Sequence, residues 1–187
     1  MSDLASNATA AVADDPIRVY VKSLLQALGT REPLEVLAEM PEALRRAVAG
    51  LSREQDGTPE RPGKWSVRQV TQHLADSELV GGFRFRMVLA HEAPELPAYD
   101  QDLWADRLRY RDADLETSLA DFTALRTLNL RLLRQATADD LKTRVMRHSE
   151  RGDEPLGYML SLYAGHDLVH LAQIRRIRQA IGAPAAS

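Results

Sequence analysis

A chain of 187 residues, 44% of them hydrophobic and 27% charged, has the size and make-up of one globular domain. Its net charge of −3 offers no broad attraction to nucleic acid or anionic membrane, and no run approaches the ~18 apolar residues needed to span a bilayer. Cysteine is absent, which excludes disulfides, thiolate zinc ligands and a protein thiol nucleophile. Any metal must therefore be held by His, Asp, Glu or neutral oxygens.

The opening stretch MSDLASNATAAVADD has neither a basic n-region nor an apolar h-region. Residues 1–14 are expected to be a disordered leader, residues 15–182 one helical domain, and 183–187 a tail. The expected location is the cytoplasm. Strand signals are nearly absent; apolar positions recur at three and four residues instead.

A short first helix is predicted from Asp15-Pro16, with Ile17, Tyr20, Leu24 and Leu28 on one face and Gly29 as its stop. A second helical region covers Pro33 to Ser52, and Pro41 is expected to break or kink it. The third start is the clearest. In KWSVRQV, Ser66 and Gln69 make a capping box, flanked by Trp65 and Val70 as a hydrophobic staple. That helix runs to about His91 and carries Val70, His73, Ser77, Gly81 and Arg84 on one face. Gly81 and Gly82 cost about 1 kcal/mol each relative to alanine, which predicts a close backbone approach or a bend there.

A long connection, Glu92 to about Asp112, follows and exceeds what a link needs. A fourth helix spans Asp114 to Gln135. RHSERGDEP reads as a turn. The last helix runs from near Pro155 to near Ile181, with Gly182 and Pro184 as stops and Arg175, Arg176 and Arg178 near its negative end. The predicted fold class is all-α: a four-helix bundle with an extra short N-terminal helix and a long connection between the second and third bundle helices.

GHDLVHLAQI places His166 and His170 one turn apart on the stripe Leu156, Met159, Tyr163, His166, His170, Ile174. Side chains at i and i+4 lie about 5–6 Å apart at Cβ, so two imidazoles can share an ion at about 2.0–2.1 Å. His73, on the core stripe of the third helix, is the best third ligand. Three neutral imidazoles in one core would otherwise each need hydrogen-bond partners. Three histidines with one open position make a catalytic type of site, whose water can titrate near ~7. H-x-x-x-H here lacks the glutamate of H-E-x-x-H, since Asp167 stands there, so a metalloprotease is not indicated. His91 reads as surface and His148 as a turn or pocket-rim residue.

The segments GKWSVRQVTQHLADSELVGGFRFRMVLA, PAYDQDLWA and HSERGDEPLGYMLSLYAGHDLVHLAQI resemble the DinB/YfiT-like superfamily of metal-dependent enzymes, over roughly residues 34 to 181. The resemblance implies a four-helix bundle, a divalent metal (zinc or nickel) on His73, His166 and His170, and a homodimer. It implies either hydrolysis or S-transfer with an external low-molecular-weight thiol. Pro155 departs from the pattern, standing where many relatives carry a threonine-like cap.

Around such a site Ser77, Arg84 and His148 are the pocket candidates. Asp76 is placed to orient an imidazole. Glu78 and Asp167 read as arginine partners, and Arg84 as a partner of Asp100 or Asp102 or else a holder of a substrate acid group. Tyr99, Asp100, Asp102 and Trp104 can fold over the bundle end as a lid or as a packed anchor. The expected function is metal-dependent hydrolysis or thiol transfer on a small molecule, without nucleic-acid or membrane partners. The alternatives are a non-catalytic metal-binding stress-response protein and a bundle whose histidines are hydrogen-bonded core residues.

Overall fold

The Asp15 carboxylate accepts the Ile17 N–H, and Pro16 fills the first helical position, so α1 (Pro16–Leu28) starts where these two effects agree. This computed structural model describes residues 15–183. The leader expected over 1–14 and the stop expected at Pro184 lie outside them.

Helix α2 (Pro33–Val48) continues through Pro41, so of the break or kink expected there, the break does not occur. Proline cannot donate to the carbonyl four residues back, which here is that of Leu37. That carbonyl is taken instead by Arg126 Nη1 at 2.9 Å, so the interruption is repaired from another helix. Helix α2 also ends earlier than predicted. After a positive-φ Gly50, Ser52 and Gln55 form a capping box for a separate short α3 (Arg53–Gly57). Buried Arg68 then ties α3 to the main bundle through Asp56 and the Arg53 carbonyl.

Helix α4 (Val67–Ala90) begins with the predicted box of Ser66 and Gln69. The cost of Gly81 and Gly82 is explained by proximity. A Cβ on Gly81 would sit 2.6 Å from the Tyr163 ring, and one on Gly82 2.5 Å from the Asn129 amide.

The long connection is partly ordered. It holds β1 (Glu95–Leu96), α5 (Gln101–Arg107) capped by Asp100, and a 3-10 turn at Tyr110–Asp112. Helix α6 (Leu115–Leu133) follows, capped by Asp114. After α7 (Asp140–Thr143), the segment expected to be a simple turn forms the hairpin β2 (Val145–His148) and β3 (Gly152–Pro155). Strand β2 pairs parallel with β1 and antiparallel with β3. These strands are too short for a period-of-two pattern to be visible in the sequence. Helix α8 (Leu156–Ala180) starts at Pro155 with no side-chain cap; its first N–H instead reaches the Arg144 carbonyl.

The bundle consists of α2, α4, α6 and α8. Helices α2 and α4 each pack against both α6 and α8, while α1 lies along α8. One apolar cluster gathers Leu44, Val70, Leu74, Phe122 and Ile174, and a second gathers Leu37, Phe85, Met146 and Met159. Between side chains of all four helices sits Arg126, only 2% exposed. It donates to Asp167 Oδ2 at 2.7 Å, to Glu78 Oε2 at 2.8 Å and to the Leu37 carbonyl. Asn129 donates to the other oxygen of Glu78 at 2.8 Å. Burial pushes the Asp167 carboxyl up to about 6, with the Arg126 charge opposing that rise.

Helix α1 approaches α8 at Gly165, where an added Cβ would fall 2.2 Å from the Leu24 carbonyl oxygen. Backbone cannot yield as a flexible side chain can. Gly165→Ala is therefore expected to lift α1 away and to destabilise the fold by about 1–3 kcal/mol, read as a lower urea midpoint. An unchanged midpoint would show that α1 docks loosely.

Candidate metal centre and its pocket

Helix α4 turns His73 inward, and α8 does the same for His166 and His170. The three Nε2 atoms converge. His73 Nε2 lies 3.0 Å from His166 Nε2, and His170 Nε2 lies 3.1 Å from it. One ligand atom from each ring falls within 4.8 Å of the others. Ligand nitrogens around a tetrahedral ion at 2.0–2.1 Å stand about 3.3 Å apart, so this cluster needs little rearrangement.

The chemistry of the donor set agrees with a cation. Gln173 Oε1 lies 2.7 Å from His170 Nδ1, which must supply the proton of that contact. His170 Nε2 is then bare, with its lone pair toward its neighbours. Burial, and then the charge of His170, push the His73 imidazole down to about 3; burial pushes His170 down to about 4. Burial also holds His166 well below its ordinary value. All three are neutral at pH 7, the form a metal requires. Three nitrogens meeting at one point cannot all be satisfied by protons without repulsion; one cation satisfies them together. His73 is fully buried, and its Nδ1 has no hydrogen-bond partner among the described residues. The Trp65 indole, 5.0 Å away between ring centres, covers it.

His166 alone of the three is half-buried, because it faces a cavity of about 360 Å³. Ser77, Arg84 and His148 all line that cavity, as do Tyr99 from the long connection and Tyr20 and Leu24 from α1. The long connection thus contributes a wall. Tyr99 packs on Trp104 with ring centres 4.6 Å apart, and burial pushes its phenol up. His148 Nδ1 accepts the Glu150 N–H, and burial with the Arg151 charge pushes its imidazole down to about 4.

Two expectations fail. Asp76 does not orient an imidazole; it accepts from the Tyr110 hydroxyl and from Gln72. Arg84 forms no ion pair with Asp100 or Asp102. The Asp100 carboxylate is spent on capping α5, and Arg84 Nη2 donates to the Pro97 carbonyl at 2.7 Å. Glu78 and Asp167 do find an arginine, Arg126. His91 caps the end of α4 in an exposed position. Sequence reasoning missed Gln173 as the partner of His170, although its place three residues on, facing the same side, was a usable signal. It also gave Trp65 only a staple role and did not foresee the wall from α1.

No helix among the described residues is long and apolar enough to cross a membrane. The sequence model of the DinB superfamily matches residues 37–174. A protein of Geobacillus thermodenitrificans named "Putative metal-dependent hydrolase" is 32% identical over 173 residues, covering 90% of this chain and 97% of that one. YfiT of Bacillus subtilis, carrying the same description, is 34% identical over 149 residues, 80% of this chain and 84% of its own. A solved structure of YfiT, described as a probable metal-dependent hydrolase with an unusual four-helix bundle topology, superposes with a TM-score of 0.76. It matches 81% of this chain and 87% of its own at 34% identity.

Proposed function

Because the chain belongs to the DinB superfamily, we propose that it is a metal-dependent hydrolase of a small molecule, working through His73, His166 and His170. The observation that carries this reading is the convergence of three neutral Nε2 atoms beside a cavity that reaches one of them. When bound, a divalent ion supplies Lewis acidity and makes water a better nucleophile at neutral pH. Zinc and nickel both suit three imidazoles. Three protein ligands leave a four-coordinate ion one further position.

The chain's own residues do the rest. Gln173 fixes the ring of His170 with its lone pair inward. Trp65 shields His73 from water. Ser77, one turn beyond His73, adds a hydroxyl to the cavity lining. The cavity argues against a protein that merely stores metal, for which access to small molecules serves no purpose. Transfer of an external thiol is the second reading, since a chain without cysteine must borrow its sulfur.

Tag-free protein loaded with zinc or nickel should hydrolyse members of a panel of small esters and amides. Turnover should vanish on chelation and return with metal. Turnover that appears only with added thiol selects transfer instead. Stoichiometric metal with neither activity overturns the catalytic reading.

A further inference from the structure

Arg84 is 7% exposed and lines the same cavity as His166. A buried guanidinium ordinarily has a carboxylate, because removing the charge from water is costly unless it is paired. Arg84 has none within ion-pairing distance among the described residues. Its hydrogen-bond partner is neutral, the Pro97 carbonyl, and the Tyr163 phenol shares the cavity wall. Tyr163, pushed up to about 12 by burial, does not supply the missing negative charge. The nearby Arg151 is different, since both its Nε and Nη2 are engaged by buried Glu154. Arg84 is therefore a buried guanidinium of the cavity wall with no carboxylate partner among the described residues.

Its position is informative. Arg84 stands 11 residues beyond His73 on α4, about 16 Å along the axis, with its side chain leaning back toward the helix start. The lining that α1 and α8 contribute includes the apolar Ile17, Val21, Leu24 and Leu162. A cavity of about 360 Å³ is at the small end of the range for small-molecule sites.

We infer that the cavity takes a small amphiphilic monocarboxylate, its acid group on Arg84, its apolar body against α1, and its reactive bond toward His166. The choice of a carboxylate over a phosphate dianion follows from charge: one free guanidinium balances one negative charge, and Glu150 at the rim opposes more. The substrate class rests on the hydrolase reading, but the anion subsite does not.

The test is binding rather than turnover. Purified full-length protein is titrated by ligand-observed NMR with 4-phenylbutyrate and with its neutral amide, each with and without chelator. The acid should bind at least about tenfold tighter than the amide. Arg84→Gln should reduce that preference to within about twofold, Arg151→Gln should leave it, and chelation should leave it. If Arg84→Gln fails to fold after losing the Pro97 contact, Arg84→Lys serves; a point charge without the planar fork should weaken acid binding at least about threefold. Equal binding of acid and amide overturns the inference. So does a preference that survives either Arg84 substitution undiminished, or one lost on chelation, which would place the anion on the metal. Absence of turnover alongside an intact acid preference would count against the hydrolase reading alone.

Discussion

Tag-free protein carrying His166→Ala is expected to lose metal by two to four orders of magnitude in affinity. Structural zinc sites bind with apparent free energies of about 10–16 kcal/mol, and a third of that is roughly 3–5 kcal/mol per ligand. The wild-type chain should retain about one ion per molecule through dialysis, and the variant none, by elemental analysis. A ligand that binds only the folded state also raises stability. Added zinc or nickel should therefore raise the melting temperature of the wild type and leave that of His166→Ala almost unmoved. His73→Ala and His170→Ala should behave alike, because the three nitrogens share one point. Gln173→Ala should be milder, since it loosens one ring rather than deleting a nitrogen; about 10–100-fold in affinity is expected. Full metal retention by His166→Ala would mean that the imidazoles are a hydrogen-bonded core and nothing more.

Arg126→Met should be among the most damaging single changes to stability. It strands the buried Glu78 and Asp167 carboxyl groups without their shared cation, and deprives the Leu37 carbonyl of the donor that replaces the one Pro41 lacks. Breaking a buried ion pair from one side costs about 3–5 kcal/mol, a large part of the 5–15 kcal/mol of a typical domain. Urea unfolding should show it as a large drop in midpoint. Adding Glu78→Gln and Asp167→Asn to Arg126→Met should recover part of the loss, because the stranded charges go with the arginine. A loss below about 1 kcal/mol would mean that water reaches these groups. The effect should extend to metal binding, since Asp167 adjoins His166 and its bond to Arg126 limits rotation of α8.

Much of the site was readable in one dimension. The i, i+4 pair on α8 and the inward stripe of α4 follow from helical periodicity, which is local and strong over twenty residues. The capping box at Ser66 is equally local. The same local pattern at Ser52 and Gln55 went unread because α2 was extended over it. Pro41 shows the limit more sharply. Local rules correctly state that a donor is missing; they cannot state that a side chain 89 residues away supplies one. The hairpin β2–β3 was illegible for a similar reason, its four-residue strands being held by a partner strand some fifty residues earlier.

By itself, then, the sequence determined a mostly helical chain with three histidines on core faces and no thiol, since those depend on residue type and near-neighbour spacing. Only the tertiary structure decided that Asp76 serves Tyr110, that Arg126 takes both acids, and that Arg84 is left facing a cavity without one. Charges choose partners by distance and burial, and both are set by how the helices pack rather than by their order in the chain.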